Sequence, residues 1–389
     1  EASAQLKTLL SLKPTPSRDE STIPVANSKN IENDAATLER LLGKPTSSST
    51  QARKNTQSTV DRLIEDALGG HVLPETDAGP QVYLDAAEQA LGKLMSKILH
   101  HPDFQHLEAL WSSIEFLINR LELGENIQLS LLDITKGELI EDFRQAGSKL
   151  EQSEFYRLLV EKGVQVLDSN TWSLIIGHYS FDNSEDDITL LTALGHIGEH
   201  VGGPFLAQAN SRLFGCDSLT ETPYPYDWNK IETDGQQRWE ELRANPAAQW
   251  IGLALPRLLL RLPYGKGTDE IESFDFQEIT DPTEHQKFLW GNPAVGCTTL
   301  IGQAFIEQGW QMSPGDKLDI GDLPAYSYLL DNETKLLSCA ELYLTETAAE
   351  KILSYGLMPM ISMKNSNSVR LLRFQSIASP ATSLAGAWA

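Results

Sequence analysis

Cysteine is scarce in this sequence. There are three in 389 residues, Cys216, Cys297 and Cys339, far apart and without a CxxC pair. An odd, sparse set excludes a disulfide framework and fits a reducing compartment. Each thiol is expected to behave as a small buried hydrophobe. Basic residues are also in the minority, 31 Lys and Arg against 54 Asp and Glu, for a formal charge of −23. Such a surface repels phosphate backbones and anionic lipid, which argues against nucleic acid and membrane as partners. It leaves a basic protein partner, or simple solubility. Long apolar runs are missing too: stretches such as IGLALP fall far short of a membrane span. No signal-peptide pattern is visible, in a sequence that starts at Glu1 rather than Met. The expected location is the cytoplasm. GxGxxG, Walker A and GxSxG motifs are absent, and no internal repeat is found. GNPAVG and YGKG are too short and isolated to imply a phosphate cradle.

What is present divides the chain in two. Residues 1–80 hold polar, proline-bearing stretches such as KPTPSRDEST, which read as linkers. Among them sit three short apolar clusters: Leu6, Leu9 and Leu10; Leu38, Leu41 and Leu42; Val60, Leu63 and Ile64. Each could make two or three helical turns, marginal alone. Residues 81–389 read as a globular α/β domain, in a chain with 41% hydrophobic residues. Leu91, Leu94, Met95, Ile98 and Leu99 share one helical face, which Pro102 ends. Phe104, Leu107, Trp111, Ile114, Ile118 and Leu121 then define an amphipathic helix, expected to pack on the body's own core.

Downstream, NIQLSLLDI reads as a strand. Thr135 and Glu138 form a capping box that starts a helix burying Leu139 and Phe143. WSLIIGHYSF is a second strand, and Ser184 opens the next helix, with Glu185, Asp186 and Asp187 favoured in its first turn. WIGLALPRLLLRLPYG is extended, and its Pro256 and Pro263 belong at a strand end, edge or bulge. PAVGCTTLIGQAFIEQGW is helical with Pro293 in the first turn. LTETAAEKILSYGLMPM is a helix ended near Gly356, then a strand. Strands alternating with helices give an α/β fold, a mixed sheet with flanking helices.

One stretch suggests chemistry. TALGHIGEHVGGPF places His196, Glu199 and His200 in the spacing H-x-x-E-H, with two imidazoles on one helical face and a carboxylate beside them. A zinc hydrolase is therefore an alternative reading. It needs a third ligand and an open coordination position, and no downstream segment names one. The competing reading places the histidines on the flank of a helix that buries Leu190, Leu194, Ile197 and Val201, with His200 in the last turn, where the carbonyl end of the helix favours an imidazolium. His100 and His101, before Pro102, are explained by a turn.

Several longer stretches, taken in order, resemble the large subunit of the type VI secretion contractile sheath, the TssC/VipB family. They are KILHHPDFQHLEALW, LLDITKGELIEDF, IIGHYSF, GGPFLAQANSRLFG, LALPRLLLRLPYG, SFDFQE, FLWGNPAVG, AFIEQGW and DLP, spanning roughly residues 85–380. The resemblance implies a contractile-tail-sheath-like fold with a helical or flexible N-terminal extension, and a structural role without catalytic residues, cofactor or metal. It further implies assembly with a small sheath subunit (TssB-like) around an inner tube protein, through exchanged strands. A disassembly ATPase that reads an N-terminal helix, and baseplate proteins, are the other partners it implies. A non-polymerising adaptor or regulator of the sheath or baseplate, working through the acidic surface, is the third reading.

The pattern also departs from the family. Ser112 and Ser113 stand where the family usually has Arg-Gly, and Ala348 and Ala349 where it has paired arginines. MSPGDKLDIG replaces a glycine-rich stretch. After SLAGAWA the resemblance implies a further C-terminal segment. A fragment, a short paralogue, or residues 1–80 standing in for the missing contacts would each account for this. The scatter of the departures favours the short paralogue.

Overall fold

The computed structural model describes residues 80–147, 149–161, 172–228, 234–330 and 333–388. The three apolar clusters before residue 80 lie outside these described residues. Helix α1 (Pro80–Leu99) and helix α2 (Pro102–Arg120) are separated at the LHHP break. Proline in the first turn of α2 removes an amide that would have no helical partner. The His101 ring caps the same turn, accepting from the Asp103 amide at 3.3 Å. Helix α3 (Lys136–Ala146) starts at the expected capping box. Thr135 Oγ1 accepts from the Glu138 amide at 3.2 Å, and the Glu138 carboxylate accepts from the Thr135 amide at 2.8 Å. The preceding NIQLSLLDI is not a strand: it joins no ladder among the described residues, and Leu131 and Leu132 are exposed. Strand-forming residues realise that preference only beside a neighbour that can bond and pack with them.

A six-stranded mixed sheet organises the rest. Its strands are β1 (Ile175–Phe181), β2 (Phe205–Ala209), β3 (Ile251–Leu255), β6 (Asp319–Ile320), β9 (Met358–Ser362) and β10 (Val369–Leu371), in the spatial order β1-β2-β3-β9-β10-β6. The first four are parallel, and β10 is antiparallel to both its neighbours. Two short ladders lie apart: β4 (Leu258–Leu259) with β5 (Trp290–Gly291), and the hairpin β7 (Ser327–Leu330) with β8 (Glu333–Leu336). Pro256 separates β3 from β4 and Pro263 follows β4, so neither interrupts a ladder.

Helices cover both faces. Helix α4 (Glu185–Val201) and helix α7 (Glu346–Ser354) pack on the face that carries Phe205, Ala207, Leu253 and Leu255. Helix α6 (Pro293–Gln308) packs on the other, against Leu206, Ala254, Met358 and Met360. Helix α5 (Asp234–Arg243) lies in the connection from β2 to β3 and buries Trp239. Burial on both faces is why β3 reads IGLAL, apolar throughout and without alternation. Cys216, Cys297 and Cys339 are free and buried. Burial pushes each thiol up from its ordinary value, away from the reactive thiolate.

Candidate functional site

The H-x-x-E-H segment lies on α4, and its neighbours explain its spacing without a metal. Leu190, Leu194, Ile197 and Val201 are all buried, as the periodicity required. The helix comes close to the 3₁₀ turn at Pro246–Trp250: a Cβ at Gly195 would stand 2.7 Å from the Ala247 carbonyl oxygen. Small residues at this position are therefore a packing requirement. The helix ends at Gly202, whose φ of 78° a side chain would oppose. His200 Nδ1 donates to the His196 carbonyl at 2.7 Å, and the His200 ring meets Tyr156 edge-on at 5.7 Å. His196 Nδ1 lies 3.5 Å from Glu199 Oε2 on the exposed flank. Among the described residues, no three His, Cys, Asp or Glu side chains gather where they could hold a metal ion. The geometry of this segment is that of a helix end, with a neighbouring pair and no third ligand.

The second candidate surface overturns an expectation. Most of the stripe of α2 does not pack on the core: Phe104, Leu107, Trp111 and Ile118 are exposed, Trp111 at 59%, while Ile114 is half-buried and Leu121 is buried as expected. The buried side of α2 is Ala109, Ser113 and Leu117. At 3.6 residues per turn the two sets fall on opposite sides of the helix. The inner side meets α6, where Leu117 and Leu121 pack on Val295. A Cβ at Gly302 would stand 2.5 Å from Leu121 Cδ2, so α6 is notched to receive that leucine. Helix α1 likewise buries Ala90 and Leu99 but exposes Leu84, Leu91 and Ile98 at seven-residue intervals. Isolated exposed leucines are ordinary. Two adjacent helices that each leave an apolar face uncovered form a surface of the kind that other proteins cover.

Polar contacts anchor the start of α2. Arg261 Nε bonds Glu108 Oε1 on α2 at 2.6 Å, and Arg261 Nη1 bonds Glu278 Oε2 at 2.8 Å. Glu278 also accepts from the Tyr264 amide at 2.8 Å, and the guanidinium lies 4.4 Å from the Tyr264 ring centre. Burial draws the Arg261 pKa down, but the bonds to Glu278 and Glu108 outweigh it and hold it above its ordinary value. His100, at the break between α1 and α2, approaches Glu278 at 3.7 Å. Burial, the largest influence, lowers its pKa against the opposing pull of that carboxylate. The motif RLPYG is thus a clamp that holds α2 to the body.

LWGN has a comparable role. Asn292 caps α6, its Oδ1 accepting from the Ala294 amide at 2.9 Å. Its Nδ2 donates to the carbonyls of Gly177 and Tyr179 on β1, at 3.3 and 3.2 Å. Trp290 Nε1 donates to the His285 carbonyl at 2.7 Å. A further, half-buried pair was not legible in the sequence: Arg257 holds Glu341 by two bonds, 2.8 and 2.6 Å, across 84 residues of chain. Burial raises the Glu341 pKa, but Arg257 and then His285 outweigh it and keep the carboxyl below its ordinary value. The departures also fit the fold. Ala348 and Ala349 are fully buried, where an arginine would need room and a counter-charge. Ser113 is buried and reaches His178 Nε2 on β1 at 3.5 Å.

Comparison with known proteins adds independent findings. The family model VipB, described as EvpB/VC_A0108, tail sheath N-terminal domain, matches residues 82–378. The protein named "Type VI secretion system sheath protein TssC1", from Pseudomonas aeruginosa, is 30% identical over 341 residues, which cover 85% of this chain and 68% of that one.

Proposed function

The chain belongs to the VipB tail-sheath family, and on that premise we propose that it is a structural subunit or accessory of a type VI secretion contractile sheath. It works by fitting its surfaces to other subunits and carries out no bond-making step. In this reading residues 81–389 form the sheath-type body and residues 1–80 an extension. The partners are a small sheath subunit and the inner tube, and the compartment is the cytoplasm. No helix among the described residues is long and apolar enough to cross a membrane.

The observation that carries the assembly reading is the uncovered stripe of α2. Phe104, Leu107, Trp111 and Ile118 fit the groove-binding pattern of an amphipathic partner helix, anchored at i, i+3, i+7 and i+14. Exposed Asp103 and Glu115 flank the stripe, in a chain of formal charge −23. The partner is therefore assigned as a helix of the small subunit with a leucine-rich face and basic borders. Strand exchange at the chain ends, and contact with a disassembly ATPase or baseplate, are finer parts of the same reading.

Co-expression with a small sheath subunit tests it. Wild-type chain should co-purify with that subunit in a salt-resistant complex. Trp111→Glu should weaken retention by about 30-fold or more, the scale of a buried aromatic hot spot, while its thermal unfolding stays unchanged. Equal retention of the variant would remove α2 from the interface, and absence of any wild-type complex would remove the subunit reading itself.

A further inference from the structure

A cavity of about 350 Å³ opens at the carboxyl ends of the parallel strands β1 and β2, beside the loop that follows β3. In open α/β sheets this end of the strands is where ligands bind, because the loops diverge there and leave a crevice. The volume is within the range of small-ligand sites. Ser180 and Gln208 are ladder partners and stand side by side in its wall. Arg257 supplies a third polar group from just beyond β3.

Three further observations point to the class of ligand. First, β1 is distorted at this place. Its register slips between Ile176 and Ser180, where four residues of β1 advance against two of β2. Asn292 holds the carbonyls of the displaced stretch, and His178 is carried toward α2, its ring 5.5 Å from that of His106. Bulges of this kind re-aim side chains and cluster at binding sites. Second, the wall contains polar atoms without partners. His178 Nδ1 and Ser180 Oγ are closed from solvent and make no hydrogen bond among the described residues. Such atoms are costly unless something satisfies them. Third, the described residues that line the cavity include no Asp or Glu, unusual in so acidic a chain. Pro102, Gln105 and His106 from the first turns of α2 and Asn292 before α6 also line it. Arg257 commits Nε and Nη2 to Glu341, which leaves Nη1 as the nitrogen available to a ligand.

We propose that this cavity, between the carboxyl ends of β1 and β2 and the N-terminal turns of α2, binds a small oxyanion-bearing ligand, a phosphate or a carboxylate. The inference goes beyond the assembly role and does not need it. The oxyanion is held by Arg257 and Gln208, with Ser180 and His178 as donors once the first turns of α2 adjust around it. Burial, and then the neighbouring His106, keep the His178 pKa down at about 4, so the ring is neutral near pH 7. The charged group that shares the cavity wall with it is Arg257, paired with Glu341, whose carboxylate His285 also approaches.

The test follows the imidazole resonances of His106 and His178 in the full chain by NMR at pH 6.5. One arm titrates inorganic phosphate and the other N-acetyl-aspartate amide, each against sodium chloride of equal ionic strength. The expected result is a saturable movement of both resonances with at least one probe. Phosphate alone would assign the site to a phosphate-bearing small molecule, and N-acetyl-aspartate amide alone to a carboxylate, such as an acidic side chain of a partner. Ser180→Ala and Gln208→Leu, with wild-type thermal unfolding, should each weaken the response several-fold. The proposal is overturned if neither probe moves the resonances, or if both variants respond as wild type does.

Discussion

Helix α4 and helix α2 carry apolar patterns of the same kind, yet α4 buries its stripe and α2 turns its own to solvent. Leu190, Leu194, Ile197 and Val201 on α4 are all sealed in the core. Phe104, Leu107, Trp111 and Ile118 on α2 are all exposed. The spacing of each set alone would place it on the inside. What separates them is the neighbour each helix meets. Helix α4 lies on the sheet and approaches the turn before β3 closely, through Gly195. Helix α2 lies on another helix through Leu117 and Leu121, and its position is held nearer its start by the Glu108–Arg261–Glu278 cluster. One helix is placed by its whole apolar stripe. The other is placed by Leu117, Leu121 and charge, which leaves Phe104, Leu107, Trp111 and Ile118 for a partner.

That contrast can be attacked by mutation. The largest expected effect is at Leu194. Leu194→Ala should lower stability by about 3–5 kcal/mol, from lost transfer energy and the cavity left behind, read as a lower urea midpoint at unchanged slope. A cost under about 1 kcal/mol would mean that α4 is not core-bound. Next is the clamp. Arg261→Met leaves the carboxylate of Glu278 buried without its ion-pair partner, and should cost about 3 kcal/mol. Hydrogen exchange should then rise first in the early turns of α2, and uniform exchange across the chain would argue against a local anchor. The smallest effect is expected on the open stripe. Leu107→Ala should change stability by less than about 0.5 kcal/mol, and a loss near 2 kcal/mol would show that the stripe is covered within the chain itself.

Legibility followed the range of the interactions. The capping box at Thr135 and Glu138, the proline start of α6 and the glycine stop after α7 were readable, because each depends on residues within four positions of one another. NIQLSLLDI was misread as a strand, since a ladder needs a partner that local sequence does not name. The stripe of α2 was read correctly as a stripe, but four of its six residues were assigned to the wrong environment. The Arg261 cluster was invisible, because its members Glu108 and Glu278 come from opposite sides in sequence, 153 and 17 residues away. RLPYG and LWGN stood out only through the family resemblance. Their mechanical roles, a clamp on α2 and a cap on α6 that also holds β1, came from the contacts.

By itself the sequence determined the kinds of element, where most of them start and stop, and the family, because hydrogen bonds within a turn and short ordered motifs are written in consecutive residues. Only the tertiary structure decided which face of each helix is covered, which distant charges meet, and that His196 and His200 lie at the end of a packed helix. Those outcomes depend on which surfaces come together in space, and a one-dimensional pattern specifies the stripe without specifying what lies against it.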